Sequence, residues 1–214
     1  MDHHLSLVLS NPHSPLVSYA MLPGDHWDME DAEVEKDNPA IFLCEIAGNR
    51  SILRPAYQIK DLDGKDLHFA VYTTGRGITR VSQSLDDYHP ADQSWVNLPV
   101  GTTICIENIH QHYFMDGQQG IRLDSDNDTL NSAKILKCTM QQFLELNETL
   151  RKNGSTCSSA SCTSEEKLEK LLRCAVCKTP YCSKSCQSSH WKLEHKKQCR
   201  IIAYLRYLNR QYGR

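Results

Sequence analysis

Between residues 157 and 199 the chain reads Cys-x4-Cys-x11-Cys-x2-Cys-x4-Cys-x3-Cys-x8-His-x3-Cys, with the named residues at 157, 162, 174, 177, 182, 186, 195 and 199. No other feature limits the fold so tightly. Seven thiols and one imidazole fall into four short-spaced pairs. A tetrahedral structural zinc takes four N or S ligands, so eight donors make two closed sites. Cys174 and Cys177 suit a tight knuckle, while Cys182/Cys186 and His195/Cys199 are i,i+4, a spacing that puts both members on one helix face. Cys157 and Cys162 lie in "NGSTCSSASCTS" (153–164), which would otherwise read as a flexible linker. Their recruitment is what raises the expected count from one zinc to two.

Other uses of these residues fit less well. Disulfides belong to oxidising compartments. The opening "MDHHLSLVLSNPHSP" has no basic n-region and only a short apolar run, and no stretch approaches the roughly 18 apolar residues of a membrane span. An intracellular location follows, nuclear or cytoplasmic, with no membrane partner. Seven thiols would also leave one unpaired. A catalytic zinc keeps an open position, and here every donor is used. His190 and His195 are i,i+5, off the shared face that a His-Glu-x-x-His site requires, and the deaminase pattern is absent. Cys44, Cys105 and Cys138 sit among apolar residues and read as buried small hydrophobes.

"CAVCKTPYCSKSCQSSHWKLEHKKQC" (174–199) resembles a MYND-type zinc finger through Tyr181-Cys182-Ser183, Cys186-Gln187, His190-Trp191 and His195-Lys196-x-x-Cys199. The resemblance covers residues 157 to 199. It implies interleaved pairs, with zinc one on Cys157, Cys162, Cys182 and Cys186 and zinc two on Cys174, Cys177, His195 and Cys199. It also implies docking of proline-containing segments of partner proteins, and Gln187 and Trp191 match the docking positions. Two departures stand out: the first pair is normally Cys-x2-Cys, and one extra residue separates Trp191 from His195. The extra residue makes His190 an alternative ligand. An ordinary helix would put His190 and Cys199 on opposite faces, which favours His195.

Residues 1–38 read as a loosely ordered arm. From Pro39, "AIFLCEIA" (40–47), "ILRPAYQIK" (52–60), "DLHFAVYTT" (66–74), "TTICIENI" (102–109), "QGIRL" (119–123) and "AKILKC" (133–138) read as strands. Asp63-Gly64 marks a hairpin, and a short helix is possible within the polar stretch 75–98. Thr139-Met-Gln-Gln142 is a capping box opening a helix. Short strands with a closing helix suit an oligonucleotide/oligosaccharide-binding-like (OB-like) barrel over 39–152, and a β-sandwich fits nearly as well. The finger occupies 153–200. An amphipathic helix follows over 201–214, with Ile201, Ile202, Leu205 and Leu208 on one stripe. The expected class is therefore α+β. The region around "IHQHYFMDGQQGIRL" (109–123) is similar to sequence upstream of MYND fingers in some fungal proteins. His110 and His112 share a strand face but read as surface residues, and "DSDNDT" (124–129) lacks the Gly and Glu of a calcium loop.

Charge divides sharply. Residues 1–150 carry 10 Lys+Arg and 22 Asp+Glu, a formal −12; residues 151–214 carry 14 and 4, a formal +10. Seven thiolates and two Zn²⁺ would lower the latter to about +7. A nucleic-acid binder built on the barrel and the basic end is the alternative function, but an acidic barrel repels phosphate. There is no Gly-rich nucleotide loop or nucleophile elbow, and a SET-type methyltransferase would not fit in the length. The expected function is a non-catalytic adaptor in transcriptional or chromatin regulation.

Overall fold

The computed structural model describes residues 16–24, 40–72, 95–124, 132–152, 156–160, 162 and 171–212. The described residues up to Gln142 form one compact unit and those from Phe143 onward form a second. The possible helix within 75–98 and most of the acidic "DSDNDT" turn lie outside the described residues.

The first unit is a mixed sheet of eight strands: β1 (Leu16–Val17), β2 (Ile41–Asn49), β3 (Ala56–Asp61), β4 (Asp66–Tyr72), β5 (Thr103–Glu107), β6 (His112–Tyr113), β7 (Gln119–Asp124) and β8 (Ala133–Leu136). They lie in the order β6-β7-β4-β3-β2-β5-β8, with β1 beside the start of β2. The β4–β7 and β1–β2 pairs are parallel and the other pairs antiparallel. Among the described residues the expected barrel is not closed. Closure would pair β7 with β5, but β6 takes the outer edge of β7 and β8 the outer edge of β5. The fold is therefore α+β with a large open sheet.

Alternation explains the core. Phe42, Cys44 and Ile46 of β2, Tyr57 and Ile59 of β3, Leu67, Phe69 and Val71 of β4, Ile104 and Ile106 of β5, and Ile121 and Leu123 of β7 form one apolar cluster, as period-2 strands require. Central β2 also buries Ile41 and Leu43 on its other face, hence its unbroken apolar run. The Asp63-Gly64 signal marks the β3–β4 hairpin, with Gly64 at φ +78°. Buried Asp61 accepts from the backbone N–H of Asp63, Lys65 and Tyr19 at 3.1, 2.8 and 2.9 Å. That last bond ties in residues 16–24. This part of the first 38 residues is built into the fold rather than loose, since Leu16, Tyr19 and Leu22 are buried.

The capping box forms as the sequence indicates. Gln142 N–H donates to Thr139 Oγ1 at 3.2 Å and Thr139 N–H donates to Gln142 Oε1 at 3.1 Å, opening α1 (Met140–Lys152). From Phe143 on, this helix belongs to the second unit rather than closing the sheet. The second unit adds β9 (Leu172–Arg173), β10 (Pro180–Tyr181), α2 (Lys184–His190), a π-helical turn (Trp191–His195) and α3 (Lys196–Tyr212). The apolar stripe Ile201, Ile202, Leu205 and Leu208 is buried. Its helix is not a separate terminal element, because α3 begins at Lys196 and carries Cys199 as well. Among the described residues, no helix is long and apolar enough to cross a membrane.

Two substitutions test this reading by urea unfolding. Gly120 pairs with His68 on one side and His112 on the other, and a Cβ there would collide with the His68 carbonyl. Gly120→Ala should cost roughly 2–4 kcal/mol with an unchanged m-value. Thr139→Ala, which removes only the cap, should cost about 1 kcal/mol.

Candidate metal centre

Each ligand pair is set by a different local device. The β9–β10 hairpin turns between Cys174 and Cys177: Cys174 N–H donates to Thr179 O at 2.9 Å and Lys178 N–H to Cys174 O at 3.0 Å. Lys178 closes this knuckle at φ +60°, a left-handed conformation in which glycine would be unstrained. Ser183 caps α2 by accepting from Cys186 N–H at 3.2 Å. Cys182 therefore lies just before the cap, and only Cys186 is on the helix. The i,i+4 spacing works here through a cap rather than through a shared helical face. Ser158 N–H donates to Pro180 O at 3.0 Å and Cys162 N–H to Ser159 O at 3.0 Å. The first bond fastens the described part of the Gly/Ser stretch beside β10, and the second turns that part back on itself.

The result is two clusters. Cys157, Cys162, Cys182 and Cys186 form one, half-buried; Cys174, Cys177, His195 and Cys199 form the other, fully buried. In each, the four donor atoms lie within 4.8 Å of one another. Cys162 Sγ is 3.6 Å from Cys182 Sγ, which is 3.4 Å from Cys186 Sγ. Cys174 and Cys199 sulfurs are 3.7 Å apart, and Cys177 Sγ is 3.3 Å from His195 Nε2. A disulfide requires about 2.05 Å; every cysteine is free. Tetrahedral zinc with Zn–S bonds of about 2.3 Å separates its sulfurs by about 3.8 Å. The spacing and the chemistry of the donor set both fit zinc.

Electrostatics agrees. Contact with Cys199 holds the Cys177 thiol well below its ordinary range, and the same contact with Cys177 pushes Cys199 far up. Contacts with Cys186 and Cys162 push Cys182 up to about 12. Thiols this close cannot all ionise without a cation among them. Burial opposes ionising Cys157, but hydrogen bonds from the Cys182 and Ser159 backbone outweigh it and lower its pKa. The Thr179 hydroxyl is 3.0 Å from Cys177 Sγ, a support the sequence pattern does not announce.

His190 stays outside both clusters. Its Nδ1 is 3.0 Å from the Tyr181 hydroxyl and its Nε2 3.4 Å from Glu194 Oε1. Burial, with His195 nearby, holds His190 below the usual imidazole range, and burial pushes the Tyr181 phenol up. The expectation that His190 and His195 point to different faces fails, because their ring centroids are 5.2 Å apart. The π turn is the reason. Lys196 N–H reaches back five residues to Trp191 O, so residues five apart align as residues four apart do in an α-helix. His110 and His112 join neither cluster; His112 packs edge-on against Phe114 at 4.6 Å. Trp191 is 39% exposed and its ring meets His195 at 5.7 Å, whereas Gln187 is half-buried one turn earlier.

A knuckle, a capped helix and two four-donor clusters define a small cross-braced zinc module. Residues 156–199 match the MYND finger family. The chain thus carries a MYND finger near its C-terminus, a zinc-binding protein-interaction domain, and its two clusters fit two zinc ions. Comparison with curated proteins and with solved structures gave no significant match.

Native mass spectrometry of the whole chain should show two Zn²⁺. Cys162→Ser should lose one while the buried site keeps its own. A wild-type count of one would leave Cys157 and Cys162 as linker residues.

Proposed function

We propose that this protein is a non-catalytic adaptor, with zinc one on Cys157, Cys162, Cys182 and Cys186 and zinc two on Cys174, Cys177, His195 and Cys199. Its finger docks proline-containing segments of partner proteins on Gln187 and Trp191. The process is transcriptional or chromatin regulation, and the site of action the nucleus or cytoplasm. One observation carries the reading: a large aromatic ring is left 39% exposed on a helix whose neighbouring turns hold metal donors. Tyr181, by contrast, is fully buried.

Physical chemistry supports this use. A ring held in one orientation has little side-chain freedom left to lose on binding, which favours affinity. Proline segments offer a preformed extended helix that docks well on aromatic surfaces. Gln187, four residues before Trp191, is its neighbour on the helix and can hydrogen-bond the peptide backbone. The domain reading that goes with this function keeps the sheet unit as a separate module, with an OB-like ancestry inferred from its parallel β4–β7 pair and its antiparallel β3–β2–β5 run.

The test compares wild type with Trp191→Ala by affinity purification from nuclease-treated cells. Partners should survive nuclease and weaken by about 30-fold or more in the variant, as for a buried interfacial tryptophan, while the zinc count stays at two. Partners bound equally by both forms would contradict the docking site. Partners removed by nuclease alone would favour nucleic-acid binding.

A further inference from the structure

The π turn is the least expected piece of backbone in the second unit. Such turns are rare, arise as insertions within α-helices and concentrate at functional sites. Here the turn spans Trp191–His195 and ends on a zinc-cluster imidazole. Something must hold it in place of the regular α-helix that would otherwise form, and the side chains around it supply a candidate.

His190 lies at the junction of α2 and the turn and is buried, with 8% of its surface exposed. Its Nε2 lies 3.4 Å from Glu194 Oε1, and a carboxylate can only accept, so this neighbour favours the tautomer with the proton on Nε2. In that tautomer Nδ1 accepts from the Tyr181 hydroxyl, 3.0 Å away. Tyr181 is itself fully buried on β10, between the knuckle pair and the capped pair. The chain Tyr181–His190–Glu194 therefore links the hairpin of one ligand pair to the helix of another. It spans the π turn from its first side to its last but one residue. The His190 ring lies against His195, centroids 5.2 Å apart and planes at 34°. His195 offers Nε2 to the cluster, while its Nδ1 is buried with no hydrogen-bond partner among the described residues. A metal-bound imidazole is ordinarily aimed by a hydrogen bond to its second nitrogen. Among the described residues His195 makes no such bond, which leaves packing to aim its ring.

We propose that the Tyr181–His190–Glu194 chain is a positioning latch: it pins the π turn and seats the His190 ring against His195, aiming Nε2 at zinc two without His190 touching the metal. This deepens the zinc reading above and rests on it. The latch supplies by ring contact what a hydrogen bond to Nδ1 would normally supply. It also gives the extra residue between Trp191 and His195 a consequence, since only a turn closing over five residues brings the two imidazoles together.

The test uses the full-length chain loaded with zinc, or with cobalt(II) in its place, in the variants Tyr181→Phe, Glu194→Gln and His190→Ala. Tyr181→Phe keeps the buried ring and removes only the hydroxyl. Glu194→Gln changes a side chain about half exposed and preserves its shape, so both should fold even if His190→Ala does not. At saturating metal, each folded variant should bind two ions. Chelator competition should show one of the two weakened by roughly 10- to 100-fold, the usual effect of losing an outer-shell partner, with the other unchanged. The cobalt ligand-field bands of the weakened site should shift at full occupancy, which a general loss of stability would not cause. Wild-type affinity and spectrum in Tyr181→Phe and Glu194→Gln would overturn the latch. Outright loss of one ion in His190→Ala, with the other site intact, would make His190 a ligand and overturn it too. A wild-type chain that binds fewer than two ions would instead overturn the zinc assignment itself.

Discussion

The second unit depends on attraction between a metal ion and thiolates that would otherwise repel one another. One core cluster gathers Cys174, Cys177, Tyr181, Cys199 and Ile202, with Leu146 and Leu150 of α1 packed alongside, beside the buried Tyr204, Leu205 and Leu208 of α3. Three of the five central residues are metal donors. Around the donors, metal binding therefore supplies folding energy that apolar burial supplies elsewhere. The loops follow from it: Ser158 is fastened to β10, Lys178 accepts a left-handed conformation, and the helix takes a π turn.

The sheet unit solves the same problem by different means. Alternating apolar residues on six paired strands, with Trp95 packed among them, exclude water by apolar burial. The Tyr57 hydroxyl donates to Trp95 O at 2.6 Å and accepts from Leu98 N–H at 3.2 Å. One chain thus holds an acidic unit stabilised by apolar burial and a basic one stabilised by metal. The basic excess lies on the finger, where Lys184, Lys192, Lys196, Lys197 and Arg200 are exposed.

Features encoded locally were legible in the sequence. The four donor pairs, the β3–β4 hairpin at Asp63-Gly64, the Thr139/Gln142 capping box and the stripe on α3 each depend on residues a few positions apart. Features that depend on distant pairing were not. Whether the sheet closes is decided by where β6 and β8 pair; β8 reads as a strand, but its place on the outer edge of β5 is set by a distant neighbour. Residues 16–24 join the fold through pairing with β2, through the buried carboxylate of Asp61 and through the Gln111 side chain, distant partners that local pattern cannot assign. The extra residue before His195 was visible, but its effect was not, because helical-face arguments assume a constant 3.6-residue period and the π turn breaks it. The alternation of Cys182 and Cys186 across a cap likewise satisfied the spacing rule for a different reason than the rule supposes.

Zinc K-edge X-ray absorption on the purified chain tests the central claim most directly. Two closed sites, one of four sulfurs and one of three sulfurs and a nitrogen, predict an average shell of about 3.5 sulfurs near 2.3 Å and about 0.5 nitrogen near 2.0 Å per zinc. A shell containing oxygen, or one with more than a single nitrogen for each pair of zinc ions, would mean an open site or a second histidine ligand and would contradict the account.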